Sequence, residues 1–179
     1  MAKLLHEAAA KSSEGKTLDY ECYVQAYKNG TLAAAIAKHY HVSIDRVRKL
    51  AGDPDHSGEE TVSSFIETMV ALELERDGIL GLSVGRGEKE TDLLDGWGRM
   101  WDVKAPPTIP QVSFDVEVEK AIESVLKKLK EFPAGNLGIL MCTSFLAEKD
   151  YVEFQAKLKG ALTDNQKFLV RLVHIDGVL

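Results

Sequence analysis

The stretch Thr91-Asp92-Leu93-Leu94-Asp95-Gly96-Trp97-Gly98-Arg99-Met100-Trp101-Asp102-Val103-Lys104-Ala105-Pro106 decides the fold. Two strand-like runs, 91–95 and 99–105, flank Gly96-Trp97-Gly98, a compact glycine-rich connection suited to a hairpin. Alternate side chains of a strand share a face, so Asp102 and Lys104 point together while Trp101 and Val103 point the other way into packing. If 91–95 pairs with 99–105, Asp92 comes beside Asp102. Two carboxylates and an ammonium then converge at the end of a rigid hairpin. Pro106, Pro107 and Pro110 end the second strand, because proline cannot continue a ladder.

Upstream of the hairpin, Val62, Phe65, Ile66, Met69, Val70 and Leu74 recur at helical spacing. They predict a helix opening near a Ser57 cap, with Glu59 and Glu60 in its first turn, and stopping at Asp77-Gly78. Residues 79–84, ILGLSV, read as a strand and 85–90, GRGEKE, as a polar turn. Downstream, apolar periodicity predicts a helix over about 115–131. A Pro-Ala-Gly-Asn turn at 133–136 leads into LGILMC (137–142), an apolar run of buried-strand length. A helix over about 147–161 and a final strand, KFLVRLVHI (167–175), complete the chain. From residue 59 the order is α-β-β-β-α-β-α-β, an α/β fold.

The first 54 residues read as a small helical region ahead of a domain at 55–179, with GDPDHSG (52–58) as the linker. Residues 31–52 predict two short amphipathic helices broken around His41-Val42-Ser43. This pair is similar to a helix-turn-helix, in which Arg46, Arg48 and Lys49 would face phosphates. It also resembles the helix pair of a LysM module, without that module's closing strand. A plain packing hairpin is the commoner use of two such helices.

The chain's 179 residues suit one ordinary domain with a small appendage, and 45 % hydrophobic with 28 % charged residues is a globular composition. No apolar run approaches the roughly 18–20 residues of a membrane helix, and the N-terminus lacks a signal-peptide core. Cys22 and Cys142 are far apart and lack metal-ligand spacing, so they read as small hydrophobes in a reduced compartment. The net charge of −6 argues against nucleic acid until its distribution is read. Residues 59–95 hold ten acids against three bases, a local net of −7, which leaves the remainder near neutral. Concentrated carboxylates fit a hard-cation site or a solvated face.

Asp92, Asp102 and Lys104 suit phosphodiester hydrolysis. Carboxylates hold Mg²⁺, which offsets phosphate charge and acidifies a bound water, and the lysine orients that water. These residues resemble the PD-(D/E)xK, restriction-endonuclease-like nuclease superfamily. Its core is αβββαβ, a mixed sheet flanked by helices, with an Asp on the second strand and (D/E)xK on the third. Asp102-Val103-Lys104 takes the latter place and Asp92 the former. Glu67 through Gly78, ETMVALELERDG, is similar to the E-x-x-x-A-x-x-L-x-x-x-G helix of several members and nominates Glu67. The resemblance implies Mg²⁺ or Mn²⁺ held by Glu67, Asp92, Asp102 and the Val103 carbonyl, with Lys104 assisting the attacking water.

The wording TDLLDGWGRMWDVKAP most resembles the nuclease toxin domains of contact-dependent inhibition and other polymorphic toxin systems, where the nuclease sits at the end of the chain. That implies a tRNA or DNA substrate, a cognate immunity protein, and action in the cytoplasm of a target cell after delivery within a larger secreted protein. Two rivals stand beside the nominated residues. Asp95 rivals Asp92 but sits at the turn, where it could simply cap it. Glu73 rivals Glu67 but lies amid the apolar stripe, where an unpaired carboxylate would be costly.

Other motifs carry less. Gly15-Lys16-Thr17 lacks the upstream P-loop glycine, since position 10 is Ala10. His39 and His41 are spaced wrongly for one helical face, and His56 and His174 are isolated. Lys127, Lys128 and Lys130 read as a solvated helix face, and Trp97 and Trp101 as hairpin packing. A catalytically silent nuclease-like scaffold and a helix-turn-helix regulator are the competing readings. Metal-dependent cleavage separates the nuclease from both.

Overall fold

The computed structural model describes residues 17–52, 58–79, 81, 85–87, 91–105, 114–131, 137–175 and 177–179. Most of the expected linker, Gly15-Lys16, His56, most of the strand at 79–84, Pro106–Pro110 and the turn at 133–136 lie outside the described residues. The described elements are α1 (Tyr20–Lys28), α2 (Leu32–Tyr40), α3 (Ile44–Ala51), α4 (Val62–Arg76), β1 (Gly85–Arg86), β2 (Leu93–Leu94), β3 (Met100–Lys104), α5 (Phe114–Glu131), β4 (Leu137–Cys142), α6 (Glu148–Ala161), α7 (Asp164–Lys167) and β5 (Val170–Val173). The fold class is α/β. None of the described helices is long and apolar enough to cross a membrane.

The chain divides into two compact units. One comprises Asp19–Val103 with Gly177–Leu179; the other holds the described residues of Met1–Leu18 and Lys104–Asp176. The helices before residue 54 therefore share a unit with α4 and the β-hairpins, and the division does not follow the linker at 52–58. The reason lies in α4, whose buried residues include Phe65, Thr68, Met69, Ala71, Leu72 and Leu74. These cover far more than one helical stripe, and a helix apolar on most sides must be covered on most sides. α2 and α3 both pack on it.

Local signals build this helical layer. The Asp19 carboxylate caps α1 by accepting the Glu21 N–H at 3.0 Å. α2 ends at His41, which takes the left-handed conformation (φ 56°), and Ser43 then caps α3 by accepting the Arg46 N–H at 3.1 Å. The expected break at 41–43 is thus a left-handed stop followed directly by a new cap. α4 opens later than its acidic run suggests. Thr61 caps it through a reciprocal pair with Ser64: the Ser64 N–H donates to Thr61 Oγ1 at 3.1 Å and the Thr61 N–H to Ser64 Oγ at 2.9 Å.

Polar cross-links bind the layer. The Tyr40 hydroxyl donates to Glu73 Oε2 at 3.0 Å, Arg76 pairs with the other oxygen of Glu73, and Arg46 meets Glu75 at 2.6 Å. Burial and the neighbouring Glu73 carboxylate push the Tyr40 phenol well above its ordinary pKa, so it stays a donor. Glu73 is buried, and its position within the apolar stripe is stabilised by these two partners.

In the same unit β1, β2 and β3 form an antiparallel meander, with Arg86 opposite Leu93 and Leu93 opposite Trp101. β1 lies at Gly85–Arg86, within the segment expected to be a turn. The β2–β3 connection is organised by Asp95, which is buried. Its Oδ1 accepts the N–H groups of Trp97 (2.9 Å) and Arg99 (2.8 Å), while Oδ2 accepts the Trp101 indole N–H at 2.9 Å. Gly98 takes φ +83°, a conformation that costs glycine nothing.

The other unit contains a short parallel pair, with Ile139 opposite Val170 through Cys142 opposite Val173. All six residues of β4 are buried, as expected of a strand covered on both faces. Val118, Val125 and Leu129 of α5, Phe154 and Leu158 of α6, and Ile139 and Met141 of β4 share its core. α7, a four-residue helix with a Thr163–Gln166 capping box, precedes β5 and shortens the expected final strand to Val170–Val173.

Asp95→Asn places an amide N–H₂ where a charged acceptor serves either the turn or the indole. Loss of a hydrogen bond to a charged group of this kind costs about 1.5–3 kcal/mol. Urea unfolding should show that decrease for Asp95→Asn and a larger one for Asp95→Ala; an unchanged midpoint would contradict the role given to Asp95.

Candidate functional site

The nominated residues lie on α4, β2 and β3. Leu93 is the paired partner of Trp101, yet the Asp92 N–H also donates to the Trp101 carbonyl at 3.0 Å. Two residues of one strand thus face one residue of the other, the pattern of a β-bulge. Bulges re-aim a side chain where regular pairing would not. Here the Asp92 carboxylate turns onto β3, and its Oδ2 accepts the Val103 N–H at 2.6 Å. The peptide joining Asp102 to Val103 therefore carries the Asp92 carboxylate directly.

The backbone around Asp92 is pinned from the β1 side as well. The Gly87 N–H donates to the Asp92 carbonyl at 2.9 Å. A β-carbon at Gly87 would lie 2.5 Å from the Thr91 carbonyl oxygen, so only glycine permits this approach. The Gly85-Arg86-Gly87 wording was the available sequence signal for close packing, although it also reads as a turn.

β3 is buried at Trp101, Asp102 and Val103 and half-buried at Met100 and Lys104. Asp102 is 3 % exposed, an uncommon setting for an aspartate that demands strong compensation. Lys104 is the last residue of β3.

Glu67 has a different neighbour from the one its nomination implies. Its carboxylate meets the Arg86 guanidinium at 2.6 Å, with both side chains largely buried. Arg86 was missed in the sequence because it lies in a polar segment far from Glu67 along the chain. Among the described residues no three His, Cys, Asp or Glu side chains gather as a cation-binding group. Asp92, Asp102 and the Val103 carbonyl are the groups of the hairpin that could hold a cation. They are all oxygen, and 85–104 contains no Cys or His, so the donor chemistry suits Mg²⁺ or Mn²⁺ rather than Zn²⁺. Asp95, the rival to Asp92, is engaged by two backbone N–H groups of its own turn and by the Trp101 indole N–H of β3.

Compared with protein-family models, with curated proteins and with solved structures, the chain matches none.

The Glu67–Arg86 contact makes a quantitative expectation. A close, largely buried pair should show a coupling energy of about 1–3 kcal/mol in a double-mutant cycle of Glu67→Gln and Arg86→Gln. Additive single effects on unfolding would show that Glu67 does not depend on Arg86.

Proposed function

We propose that this chain is a metal-dependent nuclease of the PD-(D/E)xK type that hydrolyses nucleic-acid phosphodiester bonds. The observation that carries the reading is the Asp92 carboxylate seated on the Val103 amide, between Asp102 and Lys104, at 2.6 Å. The α-β-β-β-α-β order of α4 to β4 is compatible with it.

In this reading Asp92, Asp102, the Val103 carbonyl and Glu67, which contacts Arg86 at 2.6 Å, would hold Mg²⁺ or Mn²⁺. The bound cation supplies charge neutralisation at the phosphate and a more acidic water. Lys104, the last residue of β3, orients the attacking water and donates a hydrogen bond to the charge that develops on phosphate oxygen. The Asp92–Val103 hydrogen bond fixes one carboxylate oxygen against the backbone, which lowers the reorganisation required during reaction. The toxin reading rests on the wording of 91–106. It calls for a tRNA or DNA substrate and for a cognate immunity protein that blocks the site.

Asp102→Asn nearly preserves shape but removes cation-holding charge, and Lys104→Ala removes the water-orienting ammonium. Lost electrostatic stabilisation of this kind costs about 3–4 kcal/mol, so each variant should cleave at least about a hundredfold more slowly while keeping the wild-type circular dichroism spectrum. Cleavage that survives in both folded variants would end this assignment.

A further inference from the structure

The two tryptophans divide their work. Trp101 is buried and gives its indole N–H to Asp95, whereas Trp97 is 70 % exposed at the tip of the β2–β3 hairpin. Packing explains the first and not the second, because a tryptophan in water forgoes the largest apolar burial any side chain offers. The ring is nevertheless held. Its backbone N–H is fixed by Asp95, and the indole lies against Gly81, where an added β-carbon would come within 3.4 Å of Cζ2.

Arg99, two residues further, is fixed by the same carboxylate through its N–H. Its guanidinium carbon lies 4.6 Å from the centre of the Trp101 ring, and its buried Nε has no hydrogen-bond partner among the described residues. Among the described residues Arg99 makes no ion pair. An exposed, seated indole and a guanidinium with no carboxylate partner among the described residues thus share one turn, in a chain whose net charge is −6. Aromatic faces take up unpaired bases irrespective of sequence, and guanidinium groups take up phosphate.

We infer that the hairpin tip is a nucleotide-binding element: Trp97 stacks on an unpaired base of a single-stranded or looped nucleic acid, and Arg99 contacts its phosphate. This rests on the nuclease reading and narrows its substrate to strands with accessible bases. Duplex interiors present no free base face to the ring.

The test uses the full chain in chelator, so that binding is read without cleavage, with a fluorescein-labelled 20-nucleotide oligo(dT) or oligo(U) and a duplex of matched length. Trp97→Ala should weaken single-strand binding roughly 5- to 150-fold, Trp97→Phe should recover most of it, and duplex binding should change little. Unlabelled strand should quench the exposed indole of the wild type, and Arg99→Gln should lower the salt slope by about 0.7. Equal single-strand affinity of wild type and Trp97→Ala would overturn the inference. So would a wild type that binds no single strand but whose oligomeric state changes with Trp97→Ala, which would make the ring a protein contact. Trp97-dependent binding without Mg²⁺-dependent cleavage upholds this inference and removes the nuclease reading; cleavage and binding both indifferent to Trp97 do the reverse.

Discussion

The β2–β3 hairpin depends on one buried carboxylate. Asp95 gathers two backbone N–H groups and one indole N–H onto its two oxygens, and by doing so closes the turn, orients Trp101 into the core and fixes the start of β3. A carboxylate is the side chain suited to this task, because it offers several acceptor positions and no competing donor. Everything proposed for the site inherits that rigidity. The bulge at Asp92, the Asp92–Val103 hydrogen bond and the exposed ring of Trp97 all lie within a few residues of this turn.

A second constraint acts on the other side of α4. That helix carries apolar residues on most of its circumference, together with Glu67, Glu73 and Glu75. Each of these acids is met by a cation or a hydroxyl: Arg86 for Glu67, Tyr40 and Arg76 for Glu73, and Arg46 for Glu75. Arg46 is also one of the three cations that a helix-turn-helix reading would send to phosphate. Here Arg46 engages Glu75 of α4 at 2.6 Å.

The hairpin was legible in the sequence because glycine spacing and strand alternation are local signals. The helices from Ile44 to Ala51 and from Phe114 to Glu131 were legible for the same reason. Four features were not. The two-residue β1 is too short to carry a period, and its glycines read as a turn. The bulge at Asp92 depends on cross-strand hydrogen bonding that composition does not encode. The pairing of Glu67 with Arg86 joins residues 19 apart, and the grouping of α1–α3 with α4 arises from how many sides of α4 need cover. Of the candidate site, the hairpin that carries Asp92 and Asp102 was therefore readable, and the partners that Asp92, Asp95 and Glu67 take were not.

The central claim is that the carboxylates of this hairpin serve a cation in phosphodiester hydrolysis. The most direct measurement is cleavage of a mixture of tRNA, other RNA, and single- and double-stranded DNA by the purified chain, in Mg²⁺ or Mn²⁺ and again in excess chelator. The account predicts cleavage of at least one of these substrates with either cation, abolished by chelator and restored when the cation is returned. Cleavage that persists undiminished in excess chelator, or no cleavage of any of these substrates with either cation, would contradict it.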